Sequence, residues 1–437
     1  MDTPELDFRR FVRLSLATFV GVLLVAASFN YFVDPYDLFG APRVKGFNAL
    51  KPTAGKHIRL SKPFMVSRFS PRTVIGGNSR PELGLDPLNA CWKQADHPVF
   101  NMGIPGADIF MQARMLQHAM AVAPKGDKQI FWGLDFMDFL DRRPEQNDWT
   151  SWPRSAHEYE KSLAVTASGQ VNEKLPWNRF KKYATTLFSI DALNDSAYTL
   201  LSQGNANAST RRRDGFNPAR DYIDAVALEG QNVLFRQKNR ELANIFARND
   251  LSLFGNGRQW SHEFETVSRT LEYLKKSDTK VTLFINPYHA NYLALIALSG
   301  RWPEFEQWKH QLQRLANEHG VDLWDFAVFN DYTQESLPVE RNSKRTLHWF
   351  WEPAHYKAKY GDLMLRQLLG ASCPEQDSRT VGIRLTSGNI ESHLEHERDA
   401  MALYRKLQAE SIDRLEAYLP GKAADAKSIR LLSPPPP

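Results

Sequence analysis

Cysteine is almost missing: Cys91 and Cys373 are the only two in 437 residues. Neither belongs to a Cys-x-x-Cys pair or to a Cys/His cluster with zinc spacing, which excludes a metal site built on thiolates. The two lie far apart along the chain, so spacing leaves open whether they form one disulfide in an oxidising compartment. Dense basic blocks are missing too. No run exceeds Arg211, Arg212 and Arg213, and the net charge of +5 is spread along the chain. That distribution argues against nucleic acid and suits an acidic polymer or an anionic membrane face. Repeats and low-complexity tracts are absent, and 42% hydrophobic with 24% charged residues is a globular composition. The length allows one large domain with insertions or two domains. No cofactor is expected.

Aromatic residues are plentiful, with 26 Phe and 11 Trp. Their default place is the core, but an exposed Trp also stacks on sugar rings, so a glycan is kept as a partner class. One long apolar run exists: "LSLATFVGVLLVAASFNYFV", residues 14–33, carries no charge and has the length of a bilayer-crossing helix. Arg9, Arg10 and Arg13 precede it while Asp34 and Asp37 follow, which puts residues 1–13 in the cytoplasm and the rest of the chain across the membrane. A cleaved signal peptide is the competing reading, because "VAAS" offers small residues near the end. The run continues through Phe29, Tyr31 and Phe32, which suit the interface of an uncleaved anchor.

Residues 34–70 have no clear periodicity and read as a linker. Over 71–372, short apolar runs alternate with helical patterns. Strands are predicted at Arg72–Gly76, Pro98–Met102, Gln129–Leu134, Lys280–Asn286 and Val321–Phe326, and helices at Ile109–Ala123, Gln259–Lys276, Pro303–His319 and Tyr356–Leu369. This alternation predicts an α/β fold, a parallel sheet of about five strands with helices on both faces. The gap between the third and fourth strands is too long for a crossover, so residues 138–256 are expected to be a helical insertion. It carries Trp149 and Trp152 in "NDWTSWPRS", and an Arg-Asp-Gly turn in "RRRDGFNP" that either lies over a cleft or is a solvated loop. Residues 373–437 form a C-terminal extension with an amphipathic helix at Asn389–Leu419 and a frayed Pro-rich end.

Reactive groups in an open parallel sheet collect at the carboxyl ends of its strands. There the sequence puts "GGNSR" (Gly76–Arg80), "NMGIPGA" with Asn101 and Gly103, "GLDF" with Asp135 and then Asp138, "NPYHA" with Asn286 and His289, and "FWEPAHY" with Glu352 and His355. A serine nucleophile needs a base, a group that orients the base, and oxyanion donors. Ser79 is the candidate nucleophile, His355 the base and Glu352 the orienting group, meeting the imidazole within one turn just before a helix. The N–H groups of Ser79 and Gly103 supply the last. Arg80 either holds an acidic sugar or pairs with Glu82; His289 binds substrate or is structural; Asp135 and Asp138 are alternative acids or helix caps.

These motifs, with "DPYDLFG" after the anchor and the late "VGIRLTSGNIESHL", resemble the SGNH/GDSL hydrolase superfamily over about Asp34 to Leu419. The likeness is closer to its membrane-anchored branch in bacterial polysaccharide loci, relatives of the alginate acetyltransferases. The resemblance implies an SGNH-like three-layer fold in the periplasm on a single-pass inner-membrane anchor. It implies O-acetyl transfer onto, or removal from, an exported polysaccharide, with an acyl donor and a membrane-bound acyl-transfer partner. Ser79 matches the nucleophile, Gly103 the oxyanion glycine and His355 the base. Two positions depart from the family: Glu352 stands for its usual Asp, and "GLDF" lacks the asparagine of its Gly-x-Asn-Asp block. Losing one oxyanion donor costs about a hundredfold or more, so Asn286, Asn101 or Asn78 is expected to replace it. The alternative is a non-catalytic glycan-binding or scaffold subunit of an envelope assembly.

Overall fold

A computed structural model of the chain describes residues 4–142, 159–205, 207–254, 260–337, 346–370, 373 and 380–420. Trp149 and Trp152 lie outside the described residues. The chain opens with α1 (Pro4–Val33), and Phe8–Val33 is, among the described residues, the one helix long and apolar enough to cross a membrane.

The segment expected to be a linker is folded. Asp34, at φ 48°, ends α1, and its carboxylate accepts the backbone N–H groups of Leu38, Phe39, Gly40 and Ala41. Lys51 Nζ donates to the Val33 and Asp34 carbonyls at 2.8 Å, satisfying acceptors that a helix end leaves open. Helix α2 (Ile58–Phe69) follows, with Pro63 inside it. Polar contacts rather than an apolar period order this stretch, so periodicity could not reveal it.

The central sheet contains β1 (Thr73–Gly76), β2 (Val99–Asn101), β3 (Lys128–Leu134), β6 (Thr279–Ile285), β7 (Asp322–Asp325) and β10 (Ile383–Leu385). Their order is β10-β7-β6-β3-β1-β2. The first five are parallel neighbours, while β10 pairs antiparallel with β7. The sheet therefore has six strands rather than about five. The extra strand is three residues long with an exposed Arg384 at its centre, too short and polar to signal itself.

Successive side chains point to opposite faces. Val74, Ile130, Trp132, Leu283 and Ile285 enter one apolar cluster, and Ile75, Phe131 and Phe284 enter the other. Helices α4 (Ile109–Val122), α9 (His262–Lys276), α10 (Ala290–Leu298) and α11 (Trp302–His319) fill the first cluster; α12 (Ala358–Leu369) fills the second. Helices thus cover both faces.

The long gap after β3 holds α5 (Leu175–Leu187), α6 (Ile190–Leu201), α7 (Arg220–Glu229) and α8 (Gln231–Phe246). A two-residue antiparallel ribbon, β4 (Asp141–Arg142) with β5 (Leu251–Ser252), closes its neck. The expected C-terminal helix divides at Gln408 into α13 (Ile390–Leu407) and α14 (Ala409–Glu416). No proline or glycine marks that break. Cys91 and Cys373 form a disulfide.

Helix α3 (Ser79–Gly84) starts directly after β1, and a tight ribbon of β8 (Phe350–Glu352) and β9 (His355–Tyr356) precedes α12. Helix α3 meets the ribbon and α12 through glycine. A Cβ on Gly361 would overlap the Gly84 carbonyl oxygen, and one on Gly84 would overlap the buried Tyr356 ring. Gly to Ala inside a helix normally stabilises by roughly 1 kcal/mol. Gly361→Ala should instead lower the melting temperature, since overpacking a rigid contact costs about 1–3 kcal/mol; thermal denaturation of the full chain in detergent reads the sign.

Candidate active site

The turn after β1 is built for close approach. Gly77 sits at φ 135°, and a Cβ there would lie 2.9 Å from the Gly133 carbonyl oxygen. Asn78 then caps α3, its Oδ1 accepting the Arg80 N–H at 3.0 Å, and Ser79 becomes the first helical residue. The sheet order puts this turn where the chain, having gone from β1 to β2 on one side, crosses to β3 on the other. Such a reversal opens a crevice beyond the strand ends.

Ser79 Oγ lies 2.7 Å from His355 Nε2. On the other side of the ring, Nδ1 is in close contact with Glu352 Oε1, whose Oε2 accepts the Ala354 N–H at 2.8 Å. The Glu352-Pro-Ala-His355 segment is the turn of the β8–β9 ribbon, with Glu352 and His355 paired across it. As expected from the sequence, it stands just before a helix, which begins at Ala358. Burial alone would push the Glu352 carboxyl up, but the adjoining His355 and the Ala354 N–H outweigh it and hold the group below the ordinary carboxylate range. An ionised carboxylate facing Nδ1 assigns the imidazole proton to that atom and leaves Nε2 to accept from the serine hydroxyl. Ser79 and His355 are both partly exposed, so the pair opens to solvent.

Tyr222, from α7 of the insertion, places its hydroxyl 3.1 Å from His355 Nδ1. Sequence reasoning missed it, because "RDYID" carries no motif and its position follows only from how the insertion folds back. Tyr222 and Glu352 line a hollow of about 370 Å³ together with Asp221, Lys238 and Glu241.

Other expected site residues are engaged elsewhere. Gly103 does press against the Ser79 turn, where a Cβ would lie 2.7 Å from the Asn78 carbonyl oxygen. Its N–H, however, donates to Asn101 Oδ1 at 3.0 Å and is not aimed at an oxyanion. Asn101 is buried and donates to the Pro81 and Leu85 carbonyls at 2.8 and 2.9 Å, so it stitches β2 to α3 and does not meet substrate. Asn286 cannot stand in for the missing oxyanion asparagine: its Nδ2 donates to Asp135 and to the Leu134 carbonyl, and its Oδ1 accepts from Tyr356. Of the oxyanion donors expected from the sequence, these contacts leave the Ser79 N–H, at the first position of α3.

Arg80 neither faces solvent nor pairs with Glu82. Its Nη1 meets Asp135 Oδ2 at 2.8 Å, its Nε donates to the Ala354 carbonyl at 2.7 Å, and its guanidinium lies over Tyr288 and Tyr292, 5.2 and 5.6 Å from the ring centroids. Glu82 is bound by Lys62 at 3.0 Å and by Arg211 at 2.8 Å. Arg211 opens the "RRRDGFNP" turn, which is neither a solvated loop nor a lid over a cleft. The turn is fastened to α3, and its Asp214 carbonyl accepts from Asn101 N at the edge strand β2. His289 caps α10: Nε2 donates to the Glu335 carbonyl, Nδ1 accepts the Asn291 N–H, and burial pushes its pKa down to about 4. The cavity of about 440 Å³ that it lines includes none of Ser79, His355 or Glu352.

Asp135 stands where the resemblance expects the asparagine. It is the buried counter-ion of Arg80, and Asn78, Asn286 and Tyr288 also donate to its carboxylate. Asp138 accepts from Asn78 and Gln112 at 3.0 and 2.9 Å, and burial together with the charge of Asp135 pushes its pKa up to about 7. Among the described residues no three His, Cys, Asp or Glu side chains converge as a metal-binding group. No protein-family model matches the chain, and no curated protein matches it.

Asp135→Asn leaves the Arg80 cation buried without its partner, and a loss of about 3–5 kcal/mol is expected, read as the shift of the denaturation midpoint. Asp138 predicts a pH effect of definite sign. Its folded pKa lies above the ordinary 3.8, so the folded chain holds that proton more tightly, and stability from this group falls as pH rises from 3.8 to about 7. Asp138→Asn should remove this part of the fall, so its melting temperature should drop less than that of the parent across that window.

Proposed function

We propose that this chain is a membrane-anchored, SGNH-like serine enzyme that transfers or removes O-acetyl groups on an exported polysaccharide, from the periplasmic side of a bacterial inner membrane. The observation that carries the reading is the continuous contact from Ser79 Oγ through His355 to Glu352. In this scheme Ser79 Oγ bonds to the acyl carbon as its proton passes to His355 Nε2. The Glu352 carboxylate stabilises the imidazolium, and the departing alcohol takes the proton. A sugar hydroxyl or water then attacks the acyl-enzyme with His355 as base, releasing Ser79. The disulfide agrees with an oxidising compartment. The apolar α1 agrees with a membrane anchor; a membrane-bound partner would supply the acyl donor.

One observation favours a second reading, a non-catalytic glycan-binding or scaffold subunit. The Gly103 N–H and Asn286 Nδ2 are engaged within the protein, which leaves the Ser79 N–H alone among the expected oxyanion donors. A missing donor costs about a hundredfold to a thousandfold in turnover. Ser79→Ala separates the readings. In the enzyme it abolishes p-nitrophenyl acetate cleavage and changes polymer acetylation in cells; in a scaffold it alters neither, while the parent protein supports polymer production as before. Tyr222→Phe keeps the ring but removes the hydroxyl beside His355 Nδ1, and should lower the rate several-fold while leaving the fold intact by circular dichroism.

A further inference from the structure

We infer that the α5–α6 hairpin is a second membrane-contacting element, lying in the headgroup layer of the bilayer beside α1. This rests on reading α1 as a membrane anchor. Both helices of the hairpin leave an apolar stripe uncovered. Trp177, Phe180, Ala184 and Phe188 recur at helical spacing on and just past α5, and Ile190, Leu193, Ala197 and Leu201 do so on α6. Ile190 and Leu201 are 82% and 83% exposed, more open than most residues of α1 itself. Among the described residues outside α1, eight of the fifteen exposed large hydrophobic ones fall between positions 177 and 201, so the patch is local rather than scattered. The opposite sides of the hairpin are already taken. Arg179 donates to Ser67 of α2 and Tyr183 packs on Phe39 and Phe64, while Ala192, Ser196 and Thr199 are buried.

Depth is set by Asn30, a buried amide in the last turn of the apolar α1. It donates to the Leu187 and Ser189 carbonyls at 2.9 and 3.4 Å and accepts from Ser196 Oγ at 2.9 Å. The hairpin corner, Phe188 to Ile190, is thereby held at the level of a residue inside the span Phe8–Val33. If α1 crosses the bilayer, that corner lies at its boundary. Charge agrees with a lipid surface as occupant. Helix α5 presents Lys181 and Lys182 beside Trp177 and Phe180 and contains no acidic residue, the pairing of aromatic and basic side chains that suits an anionic interface. Exposed Asp191 next to Ile190 limits the element to headgroup depth and keeps it from crossing the hydrocarbon.

Both native cysteines are in the disulfide, so introduced single cysteines can be labelled specifically in the full chain. Phe188→Cys, Ile190→Cys, Val20→Cys and Leu88→Cys carry an environment-sensitive fluorophore in vesicles of equal parts phosphatidylcholine and phosphatidylglycerol doped with spin-labelled lipid. The labels at 188 and 190 should be quenched several-fold more than the one at exposed Leu88, and more by a shallow than by a deep spin label. The label at Val20 should favour the deep one. Labels at 188 and 190 that behave like Leu88 while Val20 is quenched would overturn the hairpin proposal and spare the anchor. An unquenched Val20 would remove the anchor and the proposal with it. Shielding of 188 and 190 from both lipid and aqueous quenchers would mean pairing with a second copy, and would also overturn it.

Discussion

The pairing of Arg80 with Asp135 is the constraint on which the rest of the arrangement depends. The arginine stands one residue after Ser79, the aspartate at the end of β3, and the guanidinium reaches on to the Ala354 carbonyl in the turn that carries His355. One buried cation thus connects the serine helix, the central sheet and the histidine turn. A charge in such a place needs its partner, because an uncompensated buried ion is far more costly than the pair. This accounts for the aspartate in "GLDF": an asparagine there would supply a hydrogen bond but no negative charge.

A second layer of buried ions lies on the far side of α3, where Glu82 is bound by Lys62 of α2 and by Arg211 of the insertion. The short helix carrying Ser79 is therefore clamped by charges from three separate parts of the chain, Asp135 after β3, Lys62 of α2 and Arg211 of the insertion. Burial pushes the Lys62 ammonium down, with Glu82 opposing that shift, while Lys62 and Arg211 hold the Glu82 carboxyl below its ordinary range. Preorganisation of this kind suits a nucleophile, since reacting groups must be held closely in place before chemistry begins.

Much of the framework was legible in the sequence because it is written in apolar runs. β1 and the last five residues of β3 and of β6 are buried on both faces and are rich in β-branched and aromatic residues. Ser79, Glu352 and His355 could be brought together on paper because strand ends converge. What escaped was written in polar contacts. Asp34 and Lys51 fold a stretch that has no period, Tyr222 arrives from an insertion whose docking no local pattern encodes, and β10 is too short to stand out. Gly103, Asn101, Asn286 and His289 carried the right chemistry at the right strand ends, yet each is occupied by a neighbour. Residue type and strand position show which groups gather at the crevice, but not which of them have hydrogen-bonding capacity left over.

The Asn30 contact also bears on how the chain can be handled. Because α1 is fastened through that amide to the hairpin corner, it is part of the folded body and not a tether. A fragment begun after Val33 for the sake of solubility would leave Ser196 and the Leu187 carbonyl without their Asn30 partner, and remove one of the two carbonyls that Lys51 holds. Such a truncation trades one hydrophobic helix for a raw, partly polar scar, so detergent or nanodisc preparations of the intact chain are the appropriate material.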